Sequence, residues 1–425
     1  MNWSQHLFWR NLHELKLFLS PILAAVGRSE RRVAATRYVQ GLLMPGQRKS
    51  IEPMAAKLRI DPQGLQQFIA DSPWDETAVW RVIRQRVIPS LEPLQAWIVD
   101  ETGWVKQGRS SVGVAHQYCG SVGKQANCQV SVELVVSDGE AVAPVGGRLY
   151  LPESWIQDRV RCAAAGVPPN LPFKTKLEIA LDLIDQALSD GVATAPLLGD
   201  SVYGDSSEFR QKLRERNLEF FLQVTPSSHK AWTQPPVFEK KLKRAYPHTA
   251  TTTARTLEQI AHDLPSKKWN PVRWKSADRT VRKTRLAWCE VYLAHGLRQA
   301  GGHLEKAWLV VDWPENDPHP YHCFLAQWNR PLTLARGLQL SRGRWPIEQY
   351  FQRSKDDLGL DHYEGRSWTG FHHHLVISAI AYLFVLIVHL RAKKNFWVDV
   401  GDGAEGDAAI FGEIDRVLLL LRHEI

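Results

Sequence analysis

Apolar residues in the first 90 or so positions recur at intervals of three and four, the pattern of amphipathic helices rather than of strands. Two short helices are predicted, at Ile51 to Leu58 and at Gln63 to Ile69, with Asp61 as N-cap and Pro62 at the first helical position of the second. Such a pair is typical of a helix-turn-helix, and equally of an ordinary helical hairpin. The sequence therefore predicts an all-helical region, and both a helix-turn-helix and an ordinary helical hairpin are compatible with it.

Beyond Pro93 the apolar pattern changes to the two-residue period of strands. Three consecutive strands, expected to pair antiparallel, are predicted at Ala96 to Val99, which ends in Asp100, at Ser111 to Cys119 and at Gln129 to Val136. In the last of these, apolar residues alternate with polar ones that include Glu133. One face of that strand is therefore predicted to be apolar and the other polar.

Helices then alternate with strands. An amphipathic helix is predicted from apolar residues spaced four, three and four apart, which are Leu177, Leu181, Ile184 and Leu188. Gly191 is expected to end this helix. The strand Ala195 to Leu198 leads into Gly199 and Asp200, and a helix at about Ser207 to Arg216 and a strand at Phe220 to Val224 follow. This alternation predicts a mixed sheet that is covered by helices.

From Thr225 to about Leu340, Pro- and Lys-rich loops are interleaved with strands, which predicts a β-rich insertion. Its clearest strands are expected at Leu286 to Leu293, Trp308 to Val311 and His322 to Gln327. Helix returns near Pro346, and the apolar run after Phe371 is shorter than the roughly 20 residues that cross a bilayer, so it is interpreted as a buried helix. A Gly- and Asp-rich loop at 399–407 is expected before a last short helix.

Composition agrees with a globular protein that binds a polyanion. The chain has 425 residues, 44% of them hydrophobic, which is enough to bury a sizeable core. Its formal net charge of +8 makes nucleic acid a natural partner, although the excess of cations is modest. The five cysteines are odd in number and contain no C-x-x-C pair, which fits a reducing cytoplasm better than a zinc or redox site. The N-terminus lacks the features of a signal peptide.

Three acids occupy positions that suit catalysis. Asp100 and Asp200 each follow a predicted buried strand, and Glu348 lies in the first turn of a helix, where the helix dipole favours an ionised carboxylate. Three converging carboxylates repel one another unless a divalent cation binds, and their hard oxygen ligands suit Mg²⁺ or Mn²⁺ rather than zinc. Taken singly, each acid is explained as well by a turn or a helix start.

The sequence around these acids resembles the bacterial insertion-sequence transposases that carry a Y-(2)-R-(3)-E-(6)-K signature. Arg344, Glu348 and Lys355 stand at the required spacing, while Ser341 occupies the position of the tyrosine and departs from the pattern. The stretches WIVDETG, around Asp100, and LLGDSVYG, around Asp200, are similar to the two Asp motifs of that family. The resemblance covers about residues 90–390.

That resemblance implies an α/β fold with a ribonuclease H-like mixed sheet flanked by helices and a β-rich insertion, which follow the N-terminal all-helical domain that the periodicity predicts. It implies an enzyme, a DDE transposase, in which Asp100, Asp200 and Glu348 are the catalytic residues and hold two Mg²⁺ or Mn²⁺ ions. Arg344 and Lys355 would contact the DNA backbone near the cleaved bond. The expected partners are double-stranded DNA, both terminal inverted repeats and target, and a second copy of the chain in a homodimeric synaptic complex, in the bacterial cytoplasm and without a membrane.

The predicted organisation has five segments. They are a helical DNA-binding domain at 1–92, the first part of the catalytic core at 93–224, the β-rich insertion at 225–340, the second part of the core at 341–395, and a C-terminal tail with a short helix at 396–425. Two other functions stay open. One is a catalytically silent, sequence-specific DNA-binding protein derived from a transposase, and the other is a two-metal, structure-selective nuclease that cleaves but never joins DNA.

Several other polar residues are interpreted without a catalytic role. Glu101 is expected to point away from Asp100 across the strand, and Asp205 is expected to cap the helix that follows it. The run His372 to His374 is interpreted as the polar start of the apolar helix, since consecutive residues do not share a helix face. Basic clusters in the insertion are candidates for phosphate contacts or for solvated loops, and they comprise Lys240-Lys241-Lys243-Arg244, Lys267-Lys268 and Arg279-Arg282-Lys283-Arg285.

Overall fold

The computed structural model describes residues 3–240, 248–250, 252–275, 281–294, 304–314, 317–320 and 322–399. The chain folds into two compact units. The first unit comprises Met1–Pro93, Asp100–Ala193 and Pro346–Ile425, and the second comprises Leu94–Val99 and Thr194–Trp345. The predicted division into five segments stays a prediction, and most of the predicted C-terminal tail lies outside the described residues.

The described residues contain helices and strands throughout. The helices are α1 (Trp3–Leu23), α2 (Ser29–Leu43), α3 (Ile51–Leu58), α4 (Pro62–Ala70), α5 (Glu76–Val82), α6 (Glu153–Gln157), α7 (Arg159–Ala164), α8 (Lys176–Ser189), α9 (Ser201–Gly204), α10 (Ser207–Glu215), α11 (Leu257–His262), α12 (Leu334–Arg342), α13 (Trp345–Asp356) and α14 (Trp368–Asp399). The strands are β1 (Ala96–Val105), β2 (Ala115–Cys119), β3 (Lys124–Ser137), β4 (Val142–Tyr150), β5 (Leu197–Gly199), β6 (Phe220–Val224), β7 (Lys230–Trp232), β8 (Phe238–Lys240), β9 (His248–Ala250), β10 (Arg255–Thr256), β11 (Asn270–Lys275), β12 (Val281–Leu293), β13 (Glu305–Trp313) and β14 (His322–Gln327).

The N-terminal helices of the first unit confirm the sequence prediction. Helix α3 has the predicted bounds, and it ends at Arg59, whose left-handed backbone (φ 55°) reverses the chain. Asp61 caps α4 by accepting the backbone N–H of Gln63 at 2.7 Å, and Pro62 occupies the first helical position. Local capping chemistry therefore sets this helical pair, because none of these interactions needs a distant partner.

The strands of the first unit include one that the sequence did not predict. Strand β3 pairs antiparallel with β2 and with β4, and β1 is its other neighbour. Strand β4 contains Pro144, Gly146 and Gly147, and these residue types usually interrupt strands. The strand accommodates them because its pairing with β3 shifts register at Pro144. Gly147 packs closely against α14, since a Cβ there would lie 2.9 Å from Cδ2 of Leu375.

Strand β1 corrects the position of the first acid. The prediction that Asp100 ends a strand is wrong, because β1 continues to Val105 and Asp100 lies in its middle. The strand passes through Gly103, where a side chain would collide with the Sγ atom of Cys119 in β2. The continuation depends on pairing with β3, which the short apolar run before Asp100 does not reveal.

Helix α14 is a core helix of the first unit, packed on β4, α2 and α4. The segment Trp368–Arg391 is long and apolar enough to cross a membrane, but 67% of its most apolar window is buried inside the protein. The run His372 to His374 lies in the first turns of α14, as interpreted from the sequence, but all three imidazoles are buried. Each imidazole instead bonds a different neighbour: Leu149 N–H for the first, the Trp74 carbonyl for the second and the Tyr38 hydroxyl for the third.

The second unit is built on a mixed sheet. Trp97 and Ile98 of β1 pair parallel with Leu197 and Leu198 of β5, and β5 pairs parallel with β6. Strands β14, β13, β12, β7 and β10 follow in that order, each antiparallel to its neighbour, and β11 pairs with β12. The predicted β-rich segment between Asp200 and Glu348 is thus confirmed.

A compact apolar core holds this second unit together. Helix α11 buries its inner face against the long strands, in a cluster that includes Leu257, Ile260, Val291, Leu309 and Leu325. The predicted fold class is confirmed: the protein is α/β, with a helical N-terminal region and a mixed sheet flanked by helices, as in a ribonuclease H-like fold.

Candidate active site

Asp100 is a nearly buried carboxylate in the first unit, with 8% of its surface exposed. Its Oδ1 accepts the backbone N–H of Glu101 at 2.8 Å. The side chain of Glu101 forms an ion pair with Lys176 of α8. The two neighbouring acids therefore bond different groups, a backbone N–H for Asp100 and the ammonium of Lys176 for Glu101.

Asp200 is the N-cap of α9 in the second unit. Its Oδ1 accepts the backbone N–H of Val202 at 2.9 Å, and its carbonyl accepts the N–H of Gly204 at 2.8 Å. This tight turn follows β5 directly, so the acid is held at the carboxyl end of a buried parallel strand. The structure confirms the sequence prediction for the element that carries Asp200.

Gly204 closes the Asp200 turn against β6, and we expect Gly204→Ala to destabilise the protein. A Cβ at this position would overlap the carbonyl oxygen of Gln223, which is backbone and cannot rotate away. Overpacking of this kind costs up to about 3 kcal/mol. Urea unfolding measures the loss.

The matched control for this substitution is Gly64→Ala. Gly64 is exposed in α4, and a Cβ there meets nothing within 4 Å. Alanine should therefore stabilise that helix by up to about 1 kcal/mol. An unfolding midpoint for Gly204→Ala at or above that of the unmodified protein would contradict the packing argument.

Asp205 does not have its predicted role. Ser206 caps α10 by accepting the Phe209 N–H, whereas the Asp205 carboxylate accepts the N–H and hydroxyl of Thr225 at 2.9 and 2.8 Å and contacts Nε2 of His229 at 2.7 Å. Burial disfavours its ionised form, but these hydrogen bonds outweigh burial and lower the pKa of Asp205. The acid fastens the α9–α10 loop to the segment after β6.

Glu348 and Lys355 lie on α13, seven residues apart. Glu348 is exposed in the first helical turn, as predicted. Lys355 is half-buried, and its Nζ donates to the carbonyl of Gly103 in β1 at 2.8 Å. Burial lowers the pKa of Lys355. Within the first unit, the helix that carries Glu348 is therefore fastened to the strand that carries Asp100.

A second attachment of α13, which the sequence did not reveal, is the buried carboxylate of Glu133 in β3. The hydroxyl of Tyr350 donates to its Oε2 at 2.8 Å, and Ser131 donates to its Oε1 at 3.1 Å. The polar residues Gln129, Ser131 and Glu133 of this strand are all buried, and Glu133 bonds Tyr350 of α13. The sequence showed Glu133 only as one of the polar residues that alternate with apolar ones along this strand.

Glu133 should make stability depend on pH. Burial raises its pKa from 4.5 to about 7, although Tyr350, Ser131 and the charge of Lys355 act in the opposite direction. Because the pKa of Glu133 is higher in the folded state than in the unfolded state, its contribution to the free energy of unfolding is complete below about pH 4.5. That contribution is lost as the pH rises through about 7, and the total loss is about 3 kcal/mol.

Glu133→Gln should remove this dependence of the free energy of unfolding on pH, since glutamine has the shape of the glutamate side chain and does not ionise. The measurement is the free energy of unfolding between pH 5 and 8, as the difference between the variant and the unmodified protein, with the exposed Glu140→Gln as control. Parallel curves for Glu133→Gln and the unmodified protein would show that Glu133 does not titrate as argued.

Arg344 lies in the second unit, and the two residues that precede it contact strands of the mixed sheet. Gly343 adjoins Leu198 of β5, since a Cβ there would lie 2.7 Å from Cδ1 of that leucine. Arg342 pairs with the buried Asp312 of β13 at 2.6 Å. Burial, together with the charges of Arg342 and Arg344, lowers the pKa of His322 to about 4. Arg344 therefore follows a segment packed on β5, the strand that precedes Asp200.

Ser341, at the signature tyrosine position, has a local role. It is buried in α12, and its hydroxyl donates to the Leu338 carbonyl at 2.9 Å. Among the basic clusters, Lys267, Lys268, Arg282 and Lys283 are exposed. Arg285 instead stacks on two tryptophans, 4.8 Å from one ring centroid and 4.9 Å from the other. The remaining members lie outside the described side chains.

The donor set suits a hard divalent cation, because all three acids offer carboxylate oxygens and no sulfur or imidazole. In the first unit, Lys355 joins the helix of Glu348 to the strand of Asp100. In the second unit, Gly343, which directly precedes Arg344, packs against Leu198 of β5, the strand that leads into Asp200. The assignment of Asp100, Asp200 and Glu348 as metal ligands, and of Arg344 and Lys355 as DNA contacts, stays a prediction.

Comparisons with known proteins identify the family. The chain is similar to the "Probable transposase for insertion sequence element IS701" of Microchaete diplosiphon, with 31% identity over 201 residues, which are 46% of this chain and 49% of that protein. The chain thus matches about half the length of this relative. A family model described as DDE superfamily endonuclease matches residues 21–281, which include Asp100 and Asp200 and end before Glu348. Because that match covers more than half of the chain, the protein belongs to the DDE superfamily of endonucleases.

Proposed function

We propose that this protein is a DNA transposase that cleaves the ends of an insertion sequence and transfers them into target DNA. Membership of an endonuclease superfamily supports the cleavage step. The similarity to a protein named as a probable insertion-sequence transposase supports transposition as its purpose. The catalytic residues are Asp100, Asp200 and Glu348.

The observation that carries this proposal is the parallel pairing of Trp97 and Ile98 with Leu197 and Leu198 in the second unit. Asp100 and Asp200 each come two residues after such a paired run. Asp200 lies at the carboxyl end of β5, and the carboxyl ends of parallel strands are where α/β folds bind ligands and perform chemistry. Asp100 follows the part of β1 that pairs with β5, although β1 itself continues to Val105. The attachment of α13 to β1 through Lys355 supports Glu348 as the third acid.

The three acids have a common task in this proposal, which is to hold two Mg²⁺ or Mn²⁺ ions. When bound, such ions activate an attacking water or 3′-hydroxyl and stabilise the leaving oxygen at phosphorus. Asp100 and Asp200 are held by backbone hydrogen bonds, so their carboxylates are fixed before DNA arrives. Arg344 and Lys355 supply positive charge for the phosphates beside the cleaved bond.

The proposed partners are terminal inverted repeats, target DNA and a second copy of the chain in a synaptic complex. The net charge of +8 favours DNA, and we assign the N-terminal helices, α3 and α4 included, to its recognition. Five free cysteines agree with action on bacterial DNA in the reducing cytoplasm.

The test uses untagged protein and a duplex that carries the inverted repeats flanking its own reading frame. With MgCl₂ and a target plasmid, we expect cleavage at the repeat ends and insertion of those ends into the plasmid. Cleavage without joined products would favour a structure-selective nuclease. Sequence-specific binding without nicking, in MnCl₂ as well, would favour a silent DNA-binding protein and overturn the proposal.

A further inference from the structure

A cluster of metal-binding side chains lies in the second unit, apart from the three acids in sequence and chemistry. It consists of Glu258, His262 and His319, whose ligand atoms all lie within 4.8 Å of one another. Nδ1 of His319 lies 3.5 Å from Oε1 of Glu258. None of these residues belongs to the motifs around Asp100, Asp200 and Glu348.

Helix α11 provides two of the three side chains. Glu258 and His262 are four residues apart, so they lie on the same helix face. A capping box fixes the start of the helix, because Thr256 and Gln259 exchange hydrogen bonds between side chain and backbone. The opposite face is anchored in the apolar core of the unit. The two ligands are therefore presented outward from a well-supported helix.

Trp313 of β13 holds the third side chain near the other two. Its indole N–H donates to the carbonyl of Asp317 at 2.8 Å, and the N–H of Asp317 donates to the Pro314 carbonyl at 3.2 Å, so the backbone just before His319 is fixed. The same indole meets the His262 ring edge-on, with centroids 4.7 Å apart. One aromatic side chain thus positions ligands from two elements.

We propose that Glu258, His262 and His319 bind a divalent transition metal ion such as Zn²⁺. Two imidazole nitrogens and one carboxylate oxygen are ligands that zinc accepts, and water completes the four-coordinate sphere. Tetrahedral zinc requires ligand atoms about 3.3 Å apart, so the cluster closes by a small rotation of side chains. The side chain of His319 is 72% exposed, which leaves it room to rotate.

The proposed ion links α11 to the connection between β13 and β14. This role is structural and lies within the second unit, so it does not depend on the proposed transposition. Imidazole ligands also separate it from the carboxylates proposed for Mg²⁺, because Mg²⁺ prefers oxygen ligands. The alternative is an ion pair between Glu258 and a protonated His319, which needs no metal.

The experiment measures Co²⁺, a visible-light probe of zinc sites, binding to untagged full-length protein that has been stripped with EDTA. We expect one equivalent to give the absorption of four-coordinate Co²⁺, which ZnCl₂ displaces and excess MgCl₂ does not. His262→Asn and His319→Asn should each weaken Co²⁺ binding by more than about tenfold. Circular dichroism checks that the variants are folded.

Two control variants locate the site. His116→Asn removes an exposed histidine from β2 and should leave Co²⁺ binding unchanged, as should Asp200→Asn. Absence of saturable Co²⁺ binding, or binding by folded His319→Asn as tight as that of the unmodified protein, would overturn the proposal. Loss of binding in Asp200→Asn alone would assign the ion to the catalytic acids instead.

Discussion

Replacing Asp100 or Asp200 by Asn, or Glu348 by Gln, is expected to reduce Mg²⁺-dependent cleavage of element-end DNA by about 1,000-fold or more. Each change keeps the size of the side chain but removes one negative charge from the proposed ion site. A 1,000-fold loss corresponds to about 4 kcal/mol of transition-state stabilisation. Single-turnover cleavage of a labelled duplex measures the rate, and gel-shift titration measures DNA binding, which we expect to be largely retained.

Glu101→Gln is the matched control for these variants. It removes the same charge one residue from Asp100, but from a side chain that is paired with Lys176. We expect cleavage by Glu101→Gln to stay within about threefold of the unmodified protein, since partly exposed ion pairs contribute less than about 1 kcal/mol. If one of the three acid variants cleaved at the normal rate, that acid would not be a metal ligand.

Arg210→Ala is expected to destabilise the second unit by about 3 kcal/mol or more. Arg210 is fully buried, and its guanidinium donates to both carboxylate oxygens of Glu305, at 2.7 and 2.8 Å, and to the carbonyl of Gly204. Burial opposes ionisation of Glu305, but Arg210 and Arg214 outweigh it and lower the pKa of that carboxyl group. Without Arg210, a largely buried carboxylate keeps Arg214 as its cationic partner among the residues that the structure describes, and breaking such pairs typically costs 3–5 kcal/mol.

Urea unfolding measures this loss, and Lys212→Ala is its control. Lys212 lies on the same helix in an exposed ion pair with Glu215, so its removal should cost less than about 1 kcal/mol. Adding Glu305→Gln to Arg210→Ala should recover part of the stability, because no charge is then left buried. Equal losses for Arg210→Ala and Lys212→Ala would refute the argument from burial.

The sequence alone determined the features that rest on nearby residues. Helix α3 and the Asp61 cap of α4 follow from residues a few positions apart, which is why their prediction is confirmed. The same holds for Glu348 in the first turn of α13 and for strand β6. The family motifs around Asp100 and Asp200 are also contiguous, so they can be recognised without coordinates.

Only the tertiary structure decided features that depend on distant partners. Strand β1 continues past Asp100 because β3 lies beside it, and the buried Glu133 bonds Tyr350, which is 217 residues away in the chain. Asp205 bonds Thr225 rather than the helix after it, and His319 meets Glu258 across the fold. A local sequence pattern indicates which secondary structure a segment favours, but not which elements pack against each other. Burial, pKa and ligand geometry depend on that packing, so they could be determined only from the tertiary structure.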